Sequence, residues 1–214
     1  MITIHGVFGS PFVRALRIAL EEKGLPWAWA PFALGQHKEE PYLSLHPFGK
    51  IPAITDDGFC LYETQAMLRY IDRKAAEPAL MPADPQRAAR ADQIMAIADN
   101  YLWPCGRGIG FNRVIAPRIG VPVDEQAVAD SVAPTAVAVA ALAKLLGTQD
   151  FMTGDRLTLA DISVLPMLDM LSLTPEGSEI LAAHPTILAW LGRMRERPSV
   201  RNSAKPPEKV LAAA

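Results

Sequence analysis

Ser10, in the run Phe8-Gly9-Ser10-Pro11-Phe12-Val13-Arg14, stands where an opening strand gives way to a helix. Its hydroxyl is placed to cap that helix, a contribution of about 1 kcal/mol, and it points at whatever sits above the helix N-terminus. Thr158-Leu159-Ala160-Asp161 matches the capping-box pattern. Both hydrogen bonds of such a box are structural, so Asp161 is expected to matter to folding and not to chemistry. Gly106-Arg107-Gly108-Ile109-Gly110 has suggestive glycine spacing, but no strand precedes it, which argues against a phosphate loop. Those glycines are expected to distort or end a helix. Cys60 and Cys105 form no Cys-x-x-Cys pair, so the spacing suggests neither a disulfide framework nor a zinc site, and no metal is expected.

The elements that hold these residues are readable around them. Met1 to His5 reads as a strand. Pro11 suits a first helical position, where its missing N–H costs nothing, and Val13, Leu16 and Leu20 form one apolar face that Gly24 closes. Ile51-Pro52-Ala53-Ile54 puts a proline at the head of a short strand, which taken alone is an ordinary trans strand start. Asp56-Asp57-Gly58 then turns the chain into Phe59-Cys60-Leu61-Tyr62 as a hairpin. Glu63-Thr64 opens a further helix with Ala66, Met67, Tyr70 and Ile71 on its apolar stripe. A proline-punctuated connector spans Ala75 to Pro85, and every long segment after it reads as helix. The expected organisation is an α/β domain over residues 1–77, a linker over 78–85 and an all-α domain over 86–214.

That order of elements is thioredoxin-like, and the chain resembles the glutathione transferase superfamily, of the cytosolic, serine-bearing kind. The resemblance is carried by Ser10-Pro11-Phe12-Val13-Arg14, Leu20-Glu21-Glu22-Lys23-Gly24-Leu25-Pro26, His46-Pro47-Phe48-Gly49-Lys50-Ile51-Pro52-Ala53 and Glu63-Thr64. In the second half Thr158 to Asp161 looks like the family's capping box, and Trp190 through Pro198 like its closing helix. Two departures stand out: the family usually has serine where Thr64 stands and asparagine where His46 stands.

The resemblance implies a glutathione S-transferase, with glutathione as co-substrate, no cofactor, and Ser10 as the catalytic residue. A free thiol has a pKa of about 8.5, and lowering it by roughly two units takes about 2.7 kcal/mol of selective anion stabilisation. A hydrogen bond to a charged partner contributes about 1.5–3 kcal/mol, and a helix N-terminus about 0.3–1 kcal/mol more. A serine hydroxyl at a helix start therefore supplies energy of the required size. The resemblance also makes Pro52 cis, so that Ile51 offers its N–H and C=O to the cysteinyl backbone of glutathione like a strand edge. Glu63 would take the γ-glutamyl ammonium, and Thr64 with its helix N-terminus the γ-glutamyl carboxylate. A plain capping role for Thr64 is the alternative. Lys38 lies where the family takes a basic contact to the glycyl carboxylate, ahead of its neighbours His37 and Lys50.

The electrophile is less constrained. Phe12, Tyr101, Trp103, Arg107 and Phe111 are candidates for a hydrophobic site, although an aromatic stripe at helical spacing is more often core. Arg107, Arg113 and Arg118 would favour an acidic co-substrate. Ser10 in place of a cysteine argues against a thiol-disulfide or reductive enzyme, because serine forms no mixed disulfide. A non-catalytic glutathione-binding module is the reading from another class.

Composition agrees. Charge is nearly balanced, with 21 Lys+Arg against 23 Asp+Glu, which leaves no nucleic-acid footprint. The N-terminal residues show neither a basic run nor an extended apolar one, so no signal peptide is expected. The most lipid-like stretch, Val132 to Leu146, contains Pro134 and Lys144 and reads as a buried core helix, with no membrane partner. The tail from Pro198 to Ala214 is polar and proline-marked, which predicts a loosely held end. The expectation is a cytoplasmic protein, and the resemblance adds a homodimer.

Overall fold

A computed structural model of the chain describes residues 1–33 and 35–206. They fall into two compact units, Met1–Leu80 together with residues 196–206, and Met81–Arg195.

The first unit is built on a four-stranded sheet of order β2-β1-β3-β4. Strand β1 (Ile2–Gly6) runs parallel to β2 (Trp27–Pro31) and antiparallel to β3 (Ala53–Asp56), which pairs antiparallel with β4 (Phe59–Tyr62). The parallel pair needs a crossover, and helix α1 (Pro11–Glu22) supplies it. Ile4 and Ile54 face each other fully buried, beneath Leu16 and Leu20 of α1 and Met67, Leu68 and Ile71 of α3 (Thr64–Lys74). Between α1 and α3 the chain also forms the short helix α2 (Tyr42–Leu45), after a single 3-10 turn over Gln36–Lys38. Gly24, at φ 62°, ends α1 in a left-handed turn, with the Leu25 N–H donating to the Leu20 carbonyl. Asp57 and Gly58, both at positive φ, make the tight turn of the β3–β4 hairpin as expected.

The C-terminal segment belongs with this sheet and not with the helices before it. Helix α10 (Pro198–Ser203) packs on α1, where the buried Arg17 donates to the carbonyls of Ser203, Asn202 and Lys205 at 2.8–3.1 Å. Arg197 makes a two-pronged contact with Glu22 at 2.7 and 2.8 Å. The expected loose tail is therefore anchored through Lys205 by charged hydrogen bonds, and the expected domain over 86–214 loses its last segment to the first unit. Residues 207–214 lie outside the described residues.

In the second unit one helical run extends from Pro85 to Ile115. It comprises α4 (Pro85–Ile97), a π-turn over Ala98–Leu102, α5 (Trp103–Gly110) and a second π-turn over Phe111–Ile115. As expected, the helix is distorted at these glycines: the α-helical geometry of α5 ends at Gly110 and passes into the π-turn, while the run itself continues. A Cβ on Gly108 would lie 2.9 Å from the Ala127 carbonyl oxygen, and one on Gly110 2.3 Å from the Met170 methyl, so the glycines admit close neighbours. Those neighbours are α6 (Glu125–Leu146) and α7 (Leu159–Leu171), with α8 (Pro175–Ala182) and α9 (Pro185–Arg195) completing the unit.

The core helix is α7, which is buried on every side over nearly its whole length. Helix α6, expected in that role, buries one stripe through Val128, Val139, Leu142 and Leu146 and leaves Val137 71% exposed. Alanine makes up much of its apolar content, and alanine is cheap to leave in water, whereas the Ile162, Val164, Leu165 and Leu168 of α7 are not. By length and composition α6 is long and apolar enough to cross a membrane; it packs against α5, α8 and α9.

Candidate functional site

Ser10 is the N-cap of α1, with extended backbone (φ −67°, ψ 126°) and 8% exposure. Its Oγ accepts from the Val13 N–H at 3.4 Å. That bond uses an oxygen lone pair and leaves the hydroxyl proton to donate, so capping and anion binding do not compete. Gly6, the last residue of β1, brings the two nearest elements together. A Cβ there would meet Val13 Cγ2 of α1 at 2.5 Å and Pro52 Cβ at 3.5 Å, so the start of α1 and the turn at Pro52 converge on the end of β1.

The Ile51–Pro52 peptide bond is cis, in agreement with the resemblance and against the trans strand start. Pro52 is buried and Ile51 half-buried, just ahead of the first β3 residue, Ala53. Ala53 pairs with Tyr62, which places Glu63 and Thr64 directly beyond the same end of the sheet. Glu63 is exposed and held at φ 69°, an uncommon conformation for a residue with a side chain. Helix α3 begins at Thr64 without a side-chain cap, so the plain capping role weighed for Thr64 is not what this helix shows. The helix N-terminus there is the positive end of the helix dipole.

Lys38 is exposed, and its Nζ donates to the Gly49 carbonyl at 2.7 Å, which ties the 3-10 turn to the segment leading into Ile51. An ammonium has three hydrogens, so this bond leaves donors for a carboxylate. Tyr42 Oη donates to the Lys50 carbonyl at 2.7 Å and steadies the same segment from below. Burial pushes the Tyr42 phenol well above its ordinary value, so it stays a donor. Ser10, Lys38, Ile51, Pro52, Glu63 and Thr64 thus all belong to the first unit.

His46 was visible in the sequence only as a departure from the family pattern, and its placement is new. It follows α2, is 2% exposed, and stacks on Tyr62 with ring centres 4.6 Å apart. Its Nδ1 is buried with no hydrogen-bond partner among the described residues. Burial lowers its pKa; Glu63 and the residue's own backbone act against this, and Lys38 and Lys50 with it.

The candidates for the hydrophobic site are spread over both units. Phe12 is half-buried on α1, in the first unit. In the second, Tyr101 is 63% exposed, Trp103 half-buried, and the Arg107 guanidinium sits 5.4 Å from the centre of the Phe111 ring. Arg113 bridges Glu125 and Glu176 at 2.7 and 2.6 Å, so its charge is already matched and it no longer supports an acidic co-substrate. Asp161 is fully buried in unit two and makes the expected cap contacts, accepting from the Thr158 N–H and hydroxyl at 2.9 Å.

Comparison with known proteins agrees with this arrangement. The family described as "Glutathione S-transferase, N-terminal domain" matches residues 9–74, and "Glutathione S-transferase, C-terminal domain" matches residues 125–193. A glutathione S-transferase of Hyoscyamus muticus is 30% identical over 200 residues, covering 92% of this chain and 94% of its own. Glutathione transferase F7 from Populus trichocarpa superposes with a TM-score of 0.86 at 26% identity, over 95% of this chain and 98% of the other. Glutathione S-transferase I from mais, solved in complex with an atrazine glutathione conjugate, gives 0.82 at 28% identity, over 95% and 96%.

Proposed function

The chain belongs to the glutathione S-transferase family and is a transferase, and on that premise we propose that Ser10 holds glutathione as its thiolate for attack on small apolar electrophiles. The observation that carries this reading is the Ser10 hydroxyl itself. It is buried at the N-terminus of α1, it accepts a cap bond, and its proton is still free to donate to a sulfur anion. The tripeptide extends from there in both directions. Ile51 presents its backbone to the cysteinyl residue, Glu63 and the start of α3 with Thr64 meet the γ-glutamyl end, and Lys38 meets the glycyl carboxylate.

Attack forms a bond from sulfur to the electrophilic carbon as the leaving group departs with the electron pair, or as the pair moves into an activated double bond. The thiol proton goes to solvent when the thiolate forms. Ser10 stays neutral throughout, a donor and not a base. Phe12, Tyr101, Trp103, Arg107 and Phe111 remain the candidates for contact with the electrophile. The conjugate bound to the mais enzyme supports conjugation over disulfide exchange as the class of reaction. Exposed Phe48 and Phe59 in the first unit support burial against a second copy of the chain, a homodimer. The two free thiols, Cys60 and Cys105, support a reducing, cytoplasmic setting.

The test is ultraviolet titration of enzyme-bound glutathione. Ser10→Ala should leave glutathione affinity within about threefold, raise the bound thiol pKa by about one unit or more, and lower turnover about tenfold or beyond. An unchanged pKa removes Ser10 from the mechanism. Glutathione binding with no turnover across aryl halides, epoxides, enals and hydroperoxides identifies a non-catalytic module instead.

A further inference from the structure

His46 sits where the two halves of the glutathione site meet. On one side it begins the segment that runs through Gly49 and Lys50 to Ile51 and Pro52, and its carbonyl accepts from the Gly49 N–H at 2.8 Å. On the other its ring lies against Tyr62, the residue before Glu63, with an interplanar angle of 28°. Tyr42 stacks at 6.4 Å and Phe48 meets the ring edge-on at 6.2 Å, so aromatic groups surround it. Phe48, in the same segment, also meets the Tyr62 ring, edge-on at 6.1 Å, but it is exposed, so His46 is the buried one of the two side chains that join the segment presenting Ile51 to the strand end presenting Glu63 and Thr64.

We propose that His46 is a positioning residue that holds these two arms in register, that its neutral ring is the binding-competent form, and that protonating it weakens glutathione binding. The inference rests on the glutathione-binding reading above. A neutral imidazole leaves its buried Nδ1, which has no hydrogen-bond partner among the described residues, as a bare acceptor, whereas an imidazolium carries a proton on both nitrogens and a charge withdrawn from water, a cost that the residue's own backbone only partly offsets. The charges around it divide: Glu63 before α3 and the residue's own backbone favour a cation, whereas Lys38 of the 3-10 turn and Lys50 of the loop repel one. Tyr42 of α2 and Tyr62 of β4 stack on the ring, Cys60 of β4 donates its thiol hydrogen to the Leu45 carbonyl beside His46, and His37 of the 3-10 turn stacks on Phe32. Burial is the largest influence, and with the two lysines it keeps the His46 pKa below the ordinary imidazole value.

The probe is S-methylglutathione, which has no thiol to ionise, with affinity measured by calorimetry between pH 7.5 and 5.5. The wild-type protein should lose about threefold or more in affinity over that range, and His46→Asn, neutral throughout, should bind within about fivefold of wild type at pH 7.5 and stay flat. Because a variant at a buried site can fail to fold, the C2–H resonance of His46 is also titrated in the wild type, where the chain has only four histidines to resolve. Adding S-methylglutathione should lower its midpoint. Equal pH slopes in wild type and His46→Asn, a flat wild-type profile, or a midpoint unmoved by ligand would each overturn the proposal. Absence of binding by the wild type at pH 7.5 would overturn the glutathione reading itself, and this inference with it.

Discussion

Replacing Asp161 by alanine should cost far more than the loss of a helix cap. The carboxylate accepts from the Thr158 N–H and hydroxyl at 2.9 Å, from the Met152 N–H at 2.8 Å, and from the Trp190 indole N–H at 2.9 Å. It therefore joins the start of α7, the loop before it and α9 at one fully buried point. In Asp161→Ala the Thr158 hydroxyl can turn to Thr153, already 3.2 Å away, but three buried N–H groups lose their acceptor. Each orphaned donor costs about 1–3 kcal/mol. Burial also pushes the Asp161 carboxyl pKa up, so taking an unfavourably buried acid away offsets part of that loss. The expected net destabilisation is about 3–5 kcal/mol, against about 1 kcal/mol for a cap alone. Asp161→Asn keeps one acceptor oxygen and should lose about 1–3 kcal/mol. Urea unfolding followed by tryptophan fluorescence and far-ultraviolet circular dichroism measures both, and kcat per folded molecule should not change. A loss under about 1 kcal/mol in Asp161→Ala would refute the idea that one carboxylate ties these three elements together.

Gly108→Ala reverses the usual helix-propensity gain of up to about 1 kcal/mol, because the new methyl meets the Ala127 carbonyl oxygen at 2.9 Å and the Ser131 hydroxyl closer still; a lower melting temperature is expected, and a higher one refutes the close α5–α6 approach. Arg17→Met removes the guanidinium that holds the carbonyls of Asn202, Ser203 and Lys205, and limited proteolysis should trim the C-terminal segment about tenfold faster, a change of about 1.4 kcal/mol in local opening. Glu63→Gln and Thr64→Ala should each weaken glutathione binding by about 1–3 kcal/mol in calorimetry, and wild-type affinity in both would reduce that motif to a helix start.

The local rules of the chain were enough for much of this protein. Ser10-Pro11 at the head of an apolar i, i+3, i+7 pattern dictates a capped helix, Asp57-Gly58 dictates the hairpin turn, and Thr158-x-x-Asp161 dictates a box, because each depends only on residues a few positions apart. The expected glutathione-contact residues were also nameable, since motif order along the chain carries them. Longer-range facts were not legible. Periodicity reports that a helix has an apolar face but not how much of it a neighbour covers, so α6, expected as the core helix, buries only one stripe while α7 is enclosed. The glycines of α5 signalled a distorted helix, but not the close neighbours they admit, because Ala127 and Met170 lie far along the chain. Nothing near Arg17 in the sequence shows that C-terminal carbonyls about 186 residues away come to it. His46 was an unexplained departure from a motif until β4 laid Tyr62 against its ring. Short-range hydrogen bonds and turn preferences are written in adjacent residues, whereas burial, close approach and the pairing of a buried polar group depend on which distant surfaces meet, and only the folded chain decides that.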